Sequence, residues 1–254
     1  MRLDIEAIYD NYLDHKIAQE KKRRKKRGYW FSASTAGSCY KKQKFAIDGT
    51  DEFPLEPRVK RLLRLGTLVH KDFEDAINWQ FKKFGVIDDD EKPNWSGEEI
   101  HTEYDIEIPD IRVKGRLDNV IISDSVAYIG DIKTMGTYPW RKKFGRKRNR
   151  DESNTNYNLQ LGTYALGIAE KDNVDYVFLN IDYYNKDNSN MKSVEVEPEW
   201  AGKALKYWKD CNDAVKEELT PAVTEGVPFQ KEWECNYCAF NYLCNSPYIK
   251  EKKG

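Results

Sequence analysis

Residues 115–134 read GRLDNVIISDSVAYIGDIKT, and the fold turns on this stretch. Two runs rich in β-branched residues flank the turn pair Asp124-Ser125, the pattern of two short antiparallel strands joined by a tight connection. Adjacent strands then bring Asp118 beside Asp131 and Lys133. Alternation puts Asp131 and Lys133 on one face and turns Ile132 to the opposite, buried face.

Working outward, TEYDIEI at 102–108 precedes a Pro109-Asp110 turn and adds a third strand, so an antiparallel meander begins near Ile100. VDYVFLNIDYYN at 174–185 and MKSVEVE at 191–197 supply two more strands. Helices are expected from Tyr157 to Glu170 and from about Pro198 to Leu219. Upstream, Ile5, Ile8, Tyr9, Tyr12 and Ile17 have helical spacing before the chain dissolves into the basic run KKRRKKR at 21–27. A short helix follows Ser34, and Pro57 opens a longer one carrying Val59, Leu62, Leu63, Val69, Phe73 and Ile77. TYPWRKKFGRKRNRDESNTN, at 137–156, reads as a charged loop.

The expected fold class is α/β, a central mixed sheet flanked by helices. One domain is expected over 1–254: 1–99 mainly helical, 100–197 the core sheet and helix, 198–254 the C-terminal helix and cysteine region. The chain has 254 residues, and 42 basic and 43 acidic residues leave a net charge of -1, so local patches matter more than the total. No apolar run approaches the roughly 18 residues of a bilayer span, and the first residues lack a secretory apolar centre. The sequence therefore reads as soluble, cytoplasmic and away from membranes. Five cysteines, three of them in CNYCAFNYLC at 235–244, suit metal-held thiolates better than disulfides.

Two carboxylates and an ammonium at one spot suit phosphodiester hydrolysis. Carboxylate oxygens hold Mg²⁺ or Mn²⁺, and a lysine orients the attacking water. The same residues also suit a solvated hairpin with surface charges. Against that, NVII and VAYIG set the acids in apolar surroundings, where a buried polar group needs a partner.

GRLDNVIISDSVAYIGDIKT resembles the core motif of PD-(D/E)XK nucleases, with Asp131 where many relatives have Glu. Gly66-Thr67-Leu68-Val69-His70, followed by Glu74, is similar to the histidine helix of RecB-like members, and Gln160 to Tyr164 matches their Gln-x-x-x-Tyr helix. The resemblance covers roughly Ser34 to Cys244. It implies a restriction-endonuclease-like core in which His70, Asp118, Asp131 and the Ile132 carbonyl hold the metal. Asp118, Asp131, Lys133, Gln160 and Tyr164 then form the catalytic set, acting in DNA recombination and repair.

Cys235, Cys238 and Cys244 follow a CxxCxxxxxC pattern that leaves a fourth ligand to be found. STAGSCYKKQKF resembles the early cysteine segment of RecB-like nucleases with one early and three late cysteines, which implies Cys39 as the fourth ligand and a structural 4Fe-4S cluster. Spacing alone suits Zn as readily. Cys211, inside a helix, reads as a small packed residue.

A second basic cluster follows the Asp131 strand: Arg141, Lys142, Lys143, Arg146, Lys147 and Arg148, with Tyr138, Trp140 and Phe144 among them. Cations for phosphates and rings for unpaired bases suit single-stranded or frayed DNA ends. No base-reading motif and no P-loop occurs, so an exonuclease without its own motor is expected, working alone or beside a helicase or recombination partner. Small size and no motor would suit a phage-encoded protein. The rival reading is a non-catalytic nucleic-acid-binding module with cysteine-bound Fe-S or Zn.

Overall fold

In the computed structural model, residues 3–24, 29–84, 86–87, 93–94, 98–145, 155–216 and 232–244 are described. The strands are β1 (Phe31–Ser32), β2 (Val86–Ile87), β3 (Pro93–Asn94), β4 (Glu99–Ile108), β5 (Val113–Ser123), β6 (Val126–Met135), β7 (Tyr176–Asn185) and β8 (Met191–Val196). The helices are α1 (Ile5–Arg24), α2 (Tyr40–Ile47), α3 (Pro57–Phe84), α4 (Thr137–Phe144), α5 (Thr155–Asp172), α6 (Trp200–Lys216) and α7 (Glu232–Asn236).

The expected meander is present. β4 pairs antiparallel with β5, and β5 with β6, through turns in which Arg112 and Asp124 take positive φ. β7 pairs parallel to β6 along its whole length, and β8 returns antiparallel to β7. A parallel neighbour cannot follow a tight turn, so α4 and α5 span the β6–β7 crossover. β1 pairs parallel with the first two residues of β5, Val113 and Lys114. The sheet is mixed and flanked by helices on both faces, with α5 and α6 against one face and α3, backed by α1, against the other.

Helix α5 is buried on all sides over its middle, where Leu159–Ala165 are all buried, as expected of a helix enclosed between two layers. Gly162 allows the second layer to come close: a Cβ there would lie 2.2 Å from the Trp200 carbonyl oxygen. Trp208 of α6 is fully buried and donates through Nε1 to Thr163 Oγ1 at 2.8 Å. Helix α6 is amphipathic, burying Ala204, Tyr207, Trp208, Cys211, Asn212 and Val215 at helical spacing.

Two expectations are corrected. Helix α1 does not end before the basic run but continues to Arg24, its Leu13 buried while Ile5, Ile8, Tyr9 and Tyr12 remain exposed. Ion pairs from Lys60 to Asp14 and from Arg61 to Glu6 and Asp10 fasten it to α3. The segment read as a loop opens with helix α4. Its first amide, Thr137 N, is capped by the Asp187 carboxylate at 2.6 Å from the β7–β8 connection, a partner fifty residues away that no local pattern reveals. Phe144 then packs edge-on against buried Tyr183 at 5.4 Å. Lys25–Arg27 and Arg146, Lys147 and Arg148 lie outside the described residues.

Candidate active site

The site forms where β5 and β6 part. Their pairing ends at Asn119 opposite Gly130; one step on, β6 continues beside β7 alone from Asp131 to Met135. The gap is closed by a side chain: Asp118 Oδ2 accepts the Ile132 amide at 2.7 Å. This fixes the two expected carboxylates side by side, and Ile132 itself is buried, as alternation requires.

Helix α3 supplies the imidazole. Gly66 rests on the end of β6, where a Cβ would stand 3.2 Å from Thr134 Oγ1. One turn later His70 Nδ1 comes within 3.5 Å of Asp118 Oδ2. Glu74 does not orient the histidine; it pairs with Lys71 at 3.0 Å.

Helix α5 supplies the back wall. Gln160 Nε2 donates to Asp131 Oδ1 at 3.2 Å and to the Tyr164 hydroxyl at 2.7 Å, while its Oε1 accepts from Lys133 Nζ at 3.1 Å. Tyr164 is buried and donates to the Arg116 carbonyl at 3.0 Å. It therefore holds Gln160 in place from behind and presents no surface to a nucleic acid.

The side chains of Asp131, Lys133, Asp118 and His70 are 1%, 16%, 19% and 33% exposed, a gradient that opens the site on the α3 side. Burial pushes the Asp131 carboxyl up to about 6. Lys133 opposes that rise, whereas Asp118 adds to it. Burial alone would lower the Lys133 amine, but Asp131 outweighs it and holds the pKa above the ordinary lysine value.

Lys133 Nζ donates to Asp131 Oδ1 at 2.9 Å and lies 2.7 Å from Oδ2 off the hydrogen-bonding direction, so among the described residues Oδ2 is buried without a hydrogen bond. A buried carboxylate oxygen with no donor is the kind of atom a cation takes. Asp118 and the His70 imidazole stand beside it, donors of the kind a hard divalent ion prefers, but they are neighbours rather than an assembled ligand set. Among the described residues no three His, Cys, Asp or Glu side chains converge closely enough to hold a metal ion.

Two residues that the sequence did not single out complete the surroundings. The Tyr157 ring lies 5.0 Å under Lys133 Nζ; its place three residues before Gln160 on the same helix face was legible. Tyr183 stands beside Lys133 in the β6–β7 register, which the sequence does not specify. Of the expected DNA-binding group, Arg141 and Lys142 are exposed and Lys143 is partly buried. Trp140 is packed against Phe144 at 4.7 Å, leaving Tyr138 as the freely exposed ring.

The cysteines gather elsewhere. α7 and the tail after it lie on α2, with Phe240 against Phe45 at 5.4 Å and the Phe53 amide donating to the Ala239 carbonyl at 2.7 Å. Cys39, Cys235, Cys238 and Cys244 consequently line one cavity. Burial raises the thiol pKa of Cys39, opposed by the amides of Lys42 and Lys41 at the start of α2, and burial likewise raises that of Cys238. Cys211 is fully buried in α6 beside Tyr207.

No helix among the described residues is long and apolar enough to cross a membrane. Among solved structures, SSO0001 is similar with a TM-score of 0.55 at 14% identity, covering 94% of this chain and 96% of that one. An alkaline exonuclease (LHK-Exo) from Laribacter hongkongensis gives a TM-score of 0.45 at 12% identity, covering 76% of this chain and 90% of that one. At 14% identity the likeness to SSO0001 concerns fold alone. No curated protein sequence matches significantly. Residues 79–245 match the family model of the PD-(D/E)XK nuclease superfamily, a span that takes in Asp118, Asp131, Lys133, Gln160, Tyr164 and the three late cysteines. With more than half of its length matched, the chain belongs to the PD-(D/E)XK nuclease superfamily.

Proposed function

We propose that this chain is a metal-dependent deoxyribonuclease that hydrolyses phosphodiesters at the β5–β6 junction, acting as an exonuclease of the RecB-like kind on single-stranded or frayed ends. The observation that carries the proposal is the buried Asp131 Oδ2, which among the described residues lacks a hydrogen bond beside Asp118, His70 and Lys133. Asp118, Asp131, His70 and the Ile132 carbonyl would hold Mg²⁺ or Mn²⁺. The ion would supply Lewis acidity toward the phosphate and make bound water more acidic.

The protein's own residues do the rest. Lys133 stays charged because Asp131 holds its pKa up, so it orients the attacking water and faces developing negative charge; it does not remove the proton. Gln160 fixes Lys133 and Asp131 relative to each other, and Tyr164 fixes Gln160. Whole-chain unity is part of the proposal: the cysteine region closes over α2 and completes one nuclease unit spanning 1–254.

Within the same reading, Cys39, Cys235, Cys238 and Cys244 ligate a structural 4Fe-4S cluster, with Zn as the alternative. In support, the four line one cavity; burial raises the Cys39 and Cys238 thiols there, so ligation would displace their protons and supply the positive charge that buried thiolates require. The test is anaerobic purification with a visible spectrum, followed by Mn²⁺-dependent degradation of end-labelled linear and circular DNA, each single- and double-stranded. Brown protein that shortens linear single strands from an end and spares circles supports the proposal. Cutting of circles would overturn the exonuclease assignment, and colourless zinc-loaded protein would overturn iron. Binding without cleavage in any divalent metal would favour the binding-module reading.

A further inference from the structure

The face of the sheet that carries Lys133 extends beyond it. Lys133 stands beside Tyr183 in the β6–β7 register, and Tyr183 stands beside Lys192 in the β7–β8 register, so the three form a row across neighbouring strands. Helix α4 lies over this row. Its Lys143 places Nζ 4.5 Å from the Tyr183 ring centroid, and its Phe144 meets the same ring edge-on at 5.4 Å. From the far side, Lys192 Nζ approaches the Phe144 ring at 5.0 Å.

Two ammonium groups thus bracket Phe144 with aromatic rings beneath them, and among the described residues neither forms an ion pair with a carboxylate. Burial draws the Lys143 amine down to about 8, the response of a cation taken from water without a counter-ion. The row also leads back to the cleavage centre. Tyr183 is wholly buried, its hydroxyl has no hydrogen-bond partner among the described residues, and burial raises that hydroxyl's pKa, with Asp131 adding to the rise. An anion is what this patch lacks.

Building on the nuclease reading, we infer that Lys143 and Lys192 form a phosphate-binding subsite for the DNA strand, bracketing Phe144 beside the cleavage centre. Two strand spacings of about 4.8 Å separate Lys192 from Lys133 along the row. At about 3.4 Å per stacked nucleotide, the subsite reaches phosphates two to three nucleotides from the one cleaved. Lys192 lies some 50 residues after the basic loop and belongs to a different charge run, so only the sheet register joins it to Lys143.

The test reads binding apart from cleavage. In the full-length Asp131→Asn chain, anisotropy of a short labelled single strand is measured with and without the double substitution Lys143→Ala/Lys192→Ala. Two lost phosphate contacts should weaken binding at least about tenfold and reduce the slope of log affinity against log salt by about 1.4. Lys143→Arg/Lys192→Arg should restore both, and a neutral methylphosphonate walked along the strand should weaken the parent chain, not the double alanine variant, at two to three positions from the cleavage point. Unchanged affinity and slope would overturn the subsite, as would loss that arginine cannot rescue, which indicates packing. If the chain with Asp131 intact fails to cleave while the charge effect persists, the nuclease reading falls and the subsite is supported.

Discussion

Replacing Lys133 with Met removes the cation that, among the described residues, contacts a carboxylate only 1% exposed. With Lys133 present, burial already brings Asp131 up to about 6, so at pH 7 the ionised form exceeds the protonated form by about ten to one. Lys133 is the strongest influence lowering that value, ahead of its own hydrogen bond and of His70. Without it the carboxyl rises toward or past neutrality, and each tenfold change in the ionised fraction corresponds to about 1.4 kcal/mol withheld from metal binding. The expected result is an apparent Mn²⁺ affinity at least about tenfold weaker at pH 7, recovering as pH increases toward about 9, whereas the parent chain levels off near pH 7. Calorimetric Mn²⁺ titrations across that range would measure it. The sign for stability follows from the same value: the folded carboxyl lies above its ordinary range near 3.9, so in metal-free protein its contribution is present at low pH and lost as pH rises through about 6. Identical pH profiles of metal binding in both proteins would refute the reasoning.

Three further outcomes are expected. Gly162→Ala drives a methyl to 2.2 Å from the Trp200 carbonyl oxygen; after a helix-propensity gain of about 1 kcal/mol, a net loss near 2 kcal/mol should lower Tm by about 4–8 °C, and an unchanged or raised Tm would contradict the close approach of α5 and α6. Asp187→Ala removes the cap of α4, so amide exchange in 137–144 should accelerate while the sheet stays protected. The Thr137 amide holds the Asp187 carboxyl below its ordinary value, so in the parent chain the same acceleration should appear only as pH falls through the acid range. Cys39→Ser should abolish visible absorbance and lower Tm, with metal-dependent Asp131 chemistry retained in whatever protein remains folded; unaltered absorbance would remove Cys39 from the ligand set.

The meander was legible because its signals are local: alternation with period two and turn residues at Pro109-Asp110 and Asp124-Ser125. Asp118, Asp131 and Lys133 came with it, since register follows from a short turn. Helix α4 was not legible, because its cap comes from Asp187 and its packing surface from Tyr183, both beyond the crossover. Parallel register is equally invisible to local reading, which is why Tyr183 and Lys192 were missed. The approach of His70 to Asp118 was expected only from family resemblance; the residue that makes it physical is Gly66, which seats α3 on Thr134. Gln160 and Tyr164 illustrate a middle case. Their i,i+4 spacing put them on one face, but nothing in the sequence said that Tyr164 would be buried behind Gln160 and hydrogen-bonded to it.

As proposed, the junction of β5 and β6 is a metal-dependent hydrolytic centre built on Asp118 and Asp131. Its most direct test is single-turnover cleavage of an end-labelled single strand by the parent chain and by Asp131→Asn, each titrated with Mn²⁺ and purified in parallel. Cleavage should saturate with Mn²⁺ in the parent and fall at least about a thousandfold in Asp131→Asn, with folding confirmed by circular dichroism. Equal cleavage by both proteins, or cleavage indifferent to divalent metal, would contradict it.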